Sequence, residues 1–226
     1  MQPYSRPAML YSMKTSTIYR KSIKSVEGRS ILKKGSANKK LGYRITAKKW
    51  RGSRLYSLTL TERETCPQSC HHWDDCYGNN MPFAHRFSTD GLMPKLTEEI
   101  ATLCKKHPNG VVLRLHVLGD FYSLAYVLFW QLMLNRHDNL RVYGYTGREP
   151  DSRIGAAIAS MNRRYPDRFV VRYSRSHDSA NGMLYAAEES FTGSSFVCPE
   201  QTNKVKDCAS CGLCWSAQKT VRFLSH

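Results

Sequence analysis

Blocks of apolar residues with two different periods alternate along the middle of the chain. Apolar positions recur at helical spacing in three segments, 92–107, 123–135 and 151–164. Short runs of β-branched and aromatic residues lie beside them, at 111–117, 140–145 and 169–173. This pattern predicts three helices that alternate with three strands, with Ser123 as the cap of the second helix.

Two more strands are predicted before this region, over 42–48 and 55–61. The central strands are almost continuously apolar and alternate with helices, which is typical of a parallel sheet covered by helices. About four strand–helix steps are too few for an eight-fold barrel. We therefore predict an α/β fold, a partial (βα) barrel or an open parallel sheet, with a basic N-terminal extension and cysteine-rich metal-binding loops.

Charge divides the 226 residues into two unequal parts. Residues 1–54 contain 15 of the 34 Lys and Arg residues and a single acidic residue, Glu27. Residues 1–40 carry little apolar surface to bury, and we expect them to be irregular and partly flexible. The predicted organisation is a basic N-terminal segment over 1–54 and an α/β metal-binding domain over 55–226.

The basic segment indicates a polyanionic partner. Lys and Arg contacts to phosphates give affinity that does not depend on sequence, and aromatic rings add stacking on bases. We therefore expect DNA or RNA to bind at Lys33, Lys34, Lys39, Lys40, Lys48, Lys49, Trp50 and Arg51. A tail that only aids solubility and a site for an acidic protein are the alternatives.

The sequence also predicts the compartment. No apolar run approaches the ~18 residues that cross a bilayer, and residues 1–13 lack the apolar stretch of a secretory signal. We expect a cytoplasmic protein without a membrane partner, and no pattern predicts an oligomeric state. Disulfides are rare in that compartment, so the eight cysteines indicate metal binding. Cys104 stands apart from the other seven, as expected of a packed thiol.

The C-terminal cysteines have the spacing of an iron–sulfur site. Cys208, Cys211 and Cys214 form C-x2-C-x2-C, and Cys198 precedes Pro199 ten residues upstream. Three thiolates at this spacing can bind three irons of a 4Fe–4S cluster, and a separate Cys-Pro can supply the fourth ligand. Zinc held by four thiolates is the alternative, although zinc sites use separated cysteine pairs rather than a triplet.

The N-terminal cysteines, Cys66, Cys70 and Cys76, form C-x3-C-x5-C directly after a predicted strand. Three thiolates leave one metal position open, and chemistry occurs at open positions. We predict a 4Fe–4S cluster here too, so that the chain holds one or two clusters. A structural zinc ion is the alternative, and four side chains inside the loop could complete the ligand shell: His71, His72, Asp74 and Asp75.

Several of these motifs together resemble a family of phage and plasmid proteins known only as phage gene products. The resemblance spans roughly residues 55–216. Its motifs are Thr65-Cys-Pro-Gln-Ser-Cys with Cys76-Tyr77, His116-Val-Leu-Gly-Asp-Phe-Tyr-Ser, Tyr143-Gly-Tyr-Thr, and the terminal Cys-Pro with Cys-x2-Cys-x2-Cys-Trp. The resemblance implies a phage or plasmid protein and assigns no activity.

The chain also distantly resembles radical S-adenosylmethionine enzymes. In those enzymes a three-cysteine loop follows the first barrel strand, and a Gly-Gly-Glu-like segment follows the second and holds the cofactor. Here Cys66, Cys70 and Cys76 follow one strand and Gly119-Asp120 follows the next. The resemblance implies S-adenosylmethionine as a cofactor. Asp120 lies at the carboxyl end of a strand, where α/β sheets place their sites, and is the candidate catalytic residue. The chain departs from the usual C-x3-C-x2-C spacing and lacks the paired glycines and the Glu, and a conformational role is the alternative for Asp120.

Other polar residues are predicted near strand ends. His116 alternates within a buried strand and is expected to be a core histidine. Arginines and tyrosines near two strand ends could bind a phosphate or a base, or form a solvated rim: Tyr143, Tyr145, Arg148, Arg172, Tyr173 and Arg175.

These predictions combine into one functional hypothesis, an iron–sulfur protein of a phage or plasmid that binds nucleic acid through its basic N-terminal region. Binding alone and catalysis on the nucleic acid both fit the pattern. A radical S-adenosylmethionine-like enzyme and a zinc-only nucleic-acid-binding module are the alternatives.

Overall fold

A computed structural model describes residues 16–180 and 182–225. The flexibility expected of residues 1–15 lies outside this part of the chain. The strands are β1 (Ile23–Lys24), β2 (Lys33–Lys34), β3 (Arg54–Ser57), β4 (Arg86–Phe87), β5 (Val111–Leu115), β6 (Leu140–Thr146), β7 (Phe169–Ser174), β8 (Tyr185–Ala187), β9 (Ser195–Val197) and β10 (Thr220–Arg222). The helices are α1 (Leu92–Lys106), α2 (Leu124–Arg136), α3 (Arg153–Arg164), α4 (Cys208–Cys211) and α5 (Leu213–Ser216).

Eight of these strands form one sheet in the order β2-β3-β5-β6-β7-β8-β10-β9. Every neighbouring pair is parallel except β2 and β3, which are antiparallel. The predicted α/β fold with a mostly parallel sheet is therefore confirmed. Within the described residues the sheet has two outer strands, β2 and β9, and does not close into a barrel.

The three long helices form where the sequence predicts them. The Oγ of Ser123 accepts the backbone N–H of Tyr126 at 3.1 Å and caps α2, as expected. Ser152 caps α3 in the same way, so this helix begins two residues later than predicted. A bilayer-spanning helix would need a longer apolar run than any helix among the described residues provides.

The strands bury apolar side chains on both faces of the sheet. Val111 and Leu113 of β5 pack on one face, in the main core with the apolar sides of α1, α2 and α3. Val112 points to the other face, where it packs with Ile45 and Trp215. This second face is covered by chain from both ends, residues 41–50 and the C-terminal cysteine segment.

The prediction of a strand over residues 42–48 is wrong. Only an isolated bridge between Arg44 and Arg54 joins this segment to β3. The backbone N–H groups of Thr46 and Ala47 donate instead to the carbonyl oxygen of Ala209, at 3.0 and 3.1 Å. The segment therefore holds the C-terminal cysteine region rather than extending the sheet.

The described part of residues 1–40 packs into the fold more closely than its composition suggests. Ile31 and Leu32 are 0% and 4% exposed and belong to the main core. Their backbone N–H groups donate to the carboxylate of Glu99 on α1, at 2.8 and 2.9 Å. Residues on the two sides of the expected boundary at position 54 thus share the same cores.

Candidate metal centres and the cleft between them

Both cysteine groups open onto one cleft. A cavity of about 890 Å³ is lined by Cys66, Cys70 and Cys76 and also by Cys198, Cys208 and Cys214. Residues at or just after the carboxyl ends of four neighbouring parallel strands line it as well: Asp120 after β5, Gly147 after β6, Ser174 of β7 and Glu188 after β8. Ligands of open α/β sheets bind at this edge.

The N-terminal cysteine loop presents its sulfur atoms to backbone donors. Burial raises the pKa of all three thiols, and raises that of Cys66 to about 12. The backbone N–H groups of His72 and Gly78 donate to the sulfur atoms of Cys70 and Cys76 and partly lower their pKa values. Each donor lies two residues after its cysteine, and such donors stabilise a metal-bound thiolate.

Arg148 ties this loop to the rest of the cleft. Its Nη2 donates to the carbonyl oxygen of Thr65 at 2.8 Å, and its Nε donates to that of Phe121 at 2.8 Å. The backbone N–H of Asp120 donates to Oγ1 of Thr65 at 3.1 Å. The residue before Cys66 is therefore fixed to the loops that follow β5 and β6.

Asp120 is buried beside the N-terminal cysteines. Its carboxylate accepts hydrogen bonds from Oγ1 of Thr146 at 2.7 Å and from the backbone N–H groups of Phe121 at 2.6 Å and Gly147 at 2.7 Å. Burial raises its pKa to about 6, although these donors act in the opposite direction. A Cβ added to Gly147 would lie 3.5 Å from Asp120 and 3.9 Å from the sulfur of Cys70. Asp120 thus both lines the cleft and positions the strand ends around it.

The loop histidines form a surface cluster with Glu188, a residue that the sequence did not single out. The Nε2 atoms of His71 and His72 lie 2.8 and 3.4 Å from Oε1 of Glu188. Arg175 donates to Nδ1 of His71 at 2.9 Å. Arginine is always a donor, so Nε2 of His71 carries the proton and donates to Glu188. Asp75 lies 3.3 Å from His72, and Asp74 is exposed.

The four C-terminal cysteines line one pocket. They come from α4, α5 and the residue after β9, and apolar side chains enclose them: Phe196, Leu213, Trp215 and Val221. Burial raises the pKa of the thiols of Cys208, Cys211 and Cys214. The Asp207 side chain caps α4 by accepting the backbone N–H of Ser210 at 2.8 Å. An apolar pocket with four thiols fits a buried metal–thiolate group.

Arginine and tyrosine residues of neighbouring strands lie opposite one another on the side of the sheet that faces this pocket. Arg114 of β5 pairs with Tyr143 of β6, and Tyr145 of β6 pairs with Arg172 of β7. The Arg114 guanidinium lies 4.5 Å from the ring centre of Tyr145 and 5.7 Å from that of Tyr143. The Tyr145 hydroxyl donates to the sulfur of Cys214 and lowers the pKa of that thiol against the effect of burial. Sequence reasoning missed Arg114, because only strand pairing brings it here.

Arg172 is fully buried, so it does not form part of a solvated rim at a strand end. Its Nε donates to the carbonyl oxygen of Cys214 at 2.8 Å, and its other nitrogens donate to the carbonyls of Tyr185, Ala217 and Lys219. Burial lowers its pKa, because the charged guanidinium has lost its water. Among the described residues, no carboxylate oxygen lies within 4.0 Å of Arg172 or Arg114.

The predicted nucleic-acid residues differ in their exposure to solvent. Lys33, Lys34, Lys39, Lys48 and Arg51 are exposed, and Lys40 and Lys49 are half-buried. Lys40 lines the cleft together with Asn38. Lys33 also lies near Lys24 and Arg29, and their charges add to burial in lowering the pKa of the exposed His85.

Trp50 is in a different position from the one expected of a base-stacking residue. It is 8% exposed, and its ring is stacked on Trp215 with 5.3 Å between ring centres. Its indole N–H donates to the carbonyl oxygen of Asp167 at 2.7 Å. The ring face and the polar edge that would contact a base are therefore both occupied within the fold.

The comparisons with known proteins point to one family. A family model described as "Gene product 88" matches residues 29–222. The chain is 22% identical to the Gene 88 protein of Mycobacterium phage L5 and 21% identical to that of Mycobacterium phage D29, each over 155 residues. Each match covers 58% of this chain and 62% of the relative. No solved structure matches the chain.

Proposed function

The chain belongs to the gene product 88 family, and we propose that this member is an iron–sulfur protein that binds nucleic acid. The observation that carries the proposal is the shared cleft, which both cysteine groups line together with Lys40 of the basic segment. In this proposal Cys198, Cys208, Cys211 and Cys214 hold one 4Fe–4S cluster. Cys66, Cys70 and Cys76 hold a second. Bound clusters would supply one-electron chemistry at the cleft.

The buried arginine supports a negatively charged group at the C-terminal site. A guanidinium that is fully buried without an acidic partner is strongly destabilising. Arg172 is in this situation beside Cys214 as long as the thiols are neutral. Metal binding deprotonates thiols and so supplies the missing negative charge.

The spacing of the sulfur atoms favours a cluster over a single zinc ion. A tetrahedral zinc ion with Zn–S bonds of about 2.3 Å holds its thiolate sulfurs about 3.8 Å apart. Among the described residues, no three of the clustered cysteines have sulfur atoms all within 4.8 Å of one another. In a cubane each thiolate binds a different iron, so the sulfurs are held farther apart.

Exposed basic residues support a nucleic-acid partner. Lys33, Lys34, Lys39, Lys48 and Arg51 present their ammonium and guanidinium groups to solvent. Among the described residues none of these five lies within 4.0 Å of a carboxylate oxygen. Free cations of this kind can exchange their counterions for phosphates. Because Lys40 lines the cleft, a strand bound along this segment would lead towards the cysteine sites.

The test is metal analysis of protein purified without oxygen. We expect brown protein with about eight irons and about eight sulfides per chain, the content of two cubanes. Replacing Cys66, Cys70 and Cys76 by Ser should remove about half of the iron, and so should replacing Cys208, Cys211 and Cys214. Colourless protein with stoichiometric zinc would instead support the zinc-only alternative.

A second candidate function is a reaction that uses S-adenosylmethionine. The observation that favours it is the three-thiol site on the cleft, with the Asp120 carboxylate beside it. In this proposal the ammonium group of the ligand binds Asp120. Adding S-adenosylmethionine to the reduced protein that lacks the C-terminal cysteines should then change its electron paramagnetic resonance spectrum. An unchanged spectrum would exclude this candidate and favour a structural or redox-sensing cluster.

A further inference from the structure

We propose that the Tyr143 hydroxyl donates a hydrogen bond to a sulfur atom of the metal group held by the C-terminal cysteines, and thereby raises its reduction potential. The inference rests on the proposed function, because it requires that group to be bound. It assigns a positioning and tuning role to a residue that the sequence analysis could place only near a strand end.

The Tyr143 hydroxyl is a buried polar group without a partner. The side chain is 1% exposed, and no described residue accepts or donates a hydrogen bond at its oxygen. Such groups are rare in folded proteins, because burial without a hydrogen bond is costly. A sulfur atom of a bound metal group would supply the acceptor that this hydroxyl lacks among the described residues.

The groups around Tyr143 are those of the C-terminal cysteine pocket. Burial raises the pKa of Tyr143, and the nearby thiols of Cys208, Cys214 and Cys211 raise it further. The ring centre lies 4.8 Å from that of Trp215, which lines the pocket. Tyr143 also lines the cleft together with Cys198, Cys208 and Cys214, so its side chain lies in the same region as three of the four predicted ligands.

Tyr145 provides an internal comparison on the same strand. Residues two apart on a strand point to the same face, so both hydroxyls of β6 face the cysteines. The Tyr145 hydroxyl already donates to the sulfur of Cys214. A neutral thiol is a weak acceptor, whereas a thiolate or a bridging sulfide is a strong one. The Tyr143 hydroxyl would thus gain its partner when the metal group binds.

A hydrogen bond to sulfur has a defined effect on the redox equilibrium. It withdraws electron density from the group and stabilises the reduced form, which carries one more negative charge. Removing the donor should therefore lower the reduction potential without removing a ligand.

The test compares the loaded full-length protein with its Tyr143→Phe variant, each in the Cys66/Cys70/Cys76→Ser background so that only the C-terminal site is titrated. Iron and sulfide content are measured first, followed by the reduction potential. We expect unchanged metal content and a reduced-to-oxidised ratio about tenfold lower at a fixed potential, which is about 59 mV for one electron. The matched control is Tyr173→Phe, a buried tyrosine of the main core whose hydroxyl donates to Gly155, and its potential should equal that of the parent.

A replacement that preserves the hydroxyl covers the case in which Tyr143→Phe does not load. Tyr143→3-fluorotyrosine keeps the shape of the ring and makes the hydroxyl a stronger donor, so the potential should rise. Equal potentials in the parent and in either loaded variant would overturn the inference. Absence of iron and sulfide from the parent would instead count against the proposed function, so the two failures are distinguishable.

Discussion

The indole rings of Trp50 and Trp215 stack with 5.3 Å between their centres and 12° between their planes. Trp215 also encloses the pocket of the C-terminal cysteines. The stack therefore connects the basic N-terminal segment to the candidate metal site. It gives Trp50 a structural role where the sequence suggested contact with nucleic acid.

Trp50→Ala should destabilise the protein by about 3–5 kcal/mol, because removing a buried aromatic ring leaves a cavity. Denaturant unfolding of the metal-free protein measures this change. The control is Lys48→Ala, which alters an exposed neighbour and should change stability by less than about 0.5 kcal/mol. Unchanged stability together with weaker nucleic-acid binding in Trp50→Ala would show that the ring contacts bases instead.

Neutralising Lys34 and the three basic side chains near His85 tests the nucleic-acid proposal. Replacing Lys24, Arg29, Lys33 and Lys34 by Gln should weaken binding of DNA or RNA. It should also make binding to duplex DNA depend less on salt. The slope of the logarithm of the binding constant against the logarithm of the salt concentration should fall in magnitude by about 0.9 for each phosphate that the variant no longer neutralises. Binding titrations at several salt concentrations measure both effects. Truncation to residue 40 is unsuitable, because it would remove Ile31 and Leu32 from the core.

The control variant removes the same number of charges elsewhere, at the exposed ends of the long helices: Lys105, Arg136, Arg163 and Arg164. Its affinity and salt slope should stay closer to those of the wild-type protein. Equal losses of affinity in the two variants would mean that overall charge, rather than this surface, attracts the nucleic acid.

The central elements could be predicted because each of them buries apolar side chains at regular intervals. That regular spacing is visible within the sequence of the element alone. Helices α1, α2 and α3 and strands β5, β6 and β7 fall within two residues of the expected bounds. The segment 42–48 was misread because its apolar residues, such as Ile45, face the C-terminal cysteine region rather than a neighbouring strand. Strands β8, β9 and β10 were missed, because three-residue strands show no measurable period.

Part of the candidate site could also be predicted from local sequence. The cysteines of each group lie close together in sequence, so spacing alone suggested the two groups, and both of them line the cleft. Arg114 and Glu188 were missed, because only the parallel pairing of the strands brings them to the cleft. Arg172 was misplaced, because its side chain is buried against the carbonyl of Cys214 instead of lying at a solvated strand end. The orphan hydroxyl of Tyr143 has no sequence signal at all.

The buried His116 predicts a specific dependence of stability on pH. Burial lowers its pKa from 6.5 to about 3, so the folded protein keeps it neutral, whereas the unfolded chain protonates it near pH 6.5. Stability is therefore fully present above pH 6.5 and is lost as the pH falls towards 3. Between pH 7 and pH 5 the loss from this group should be about 2 kcal/mol.

The measurement is the free energy of unfolding at both pH values for the wild-type protein and for His116→Asn. Asn tolerates the left-handed backbone of this position, where φ is 52°. The variant should lose about 2 kcal/mol less than the wild-type protein between pH 7 and pH 5, and titrations shared by both proteins cancel in this difference. Equal losses would show that His116 is protonated in the folded state.

Arg172→Met tests whether the C-terminal thiols carry charge when the site is loaded. In the metal-free protein the thiols are neutral, so the substitution removes four hydrogen bonds to backbone carbonyls but no attraction between opposite charges. In the loaded protein it also removes a buried cation from beside anionic sulfur, which costs about 3–5 kcal/mol when a buried pair is broken. By linkage the variant must bind the metal group more weakly, so a chelator should remove its iron faster.

The control is Arg168→Met, because Arg168 also donates to two backbone carbonyls, those of Leu134 and His137, but does not contact the cysteines. Equal rates of iron release from the two variants would mean that Arg172 only anchors the C-terminal segment, and the charge argument for a metal–thiolate group would fail.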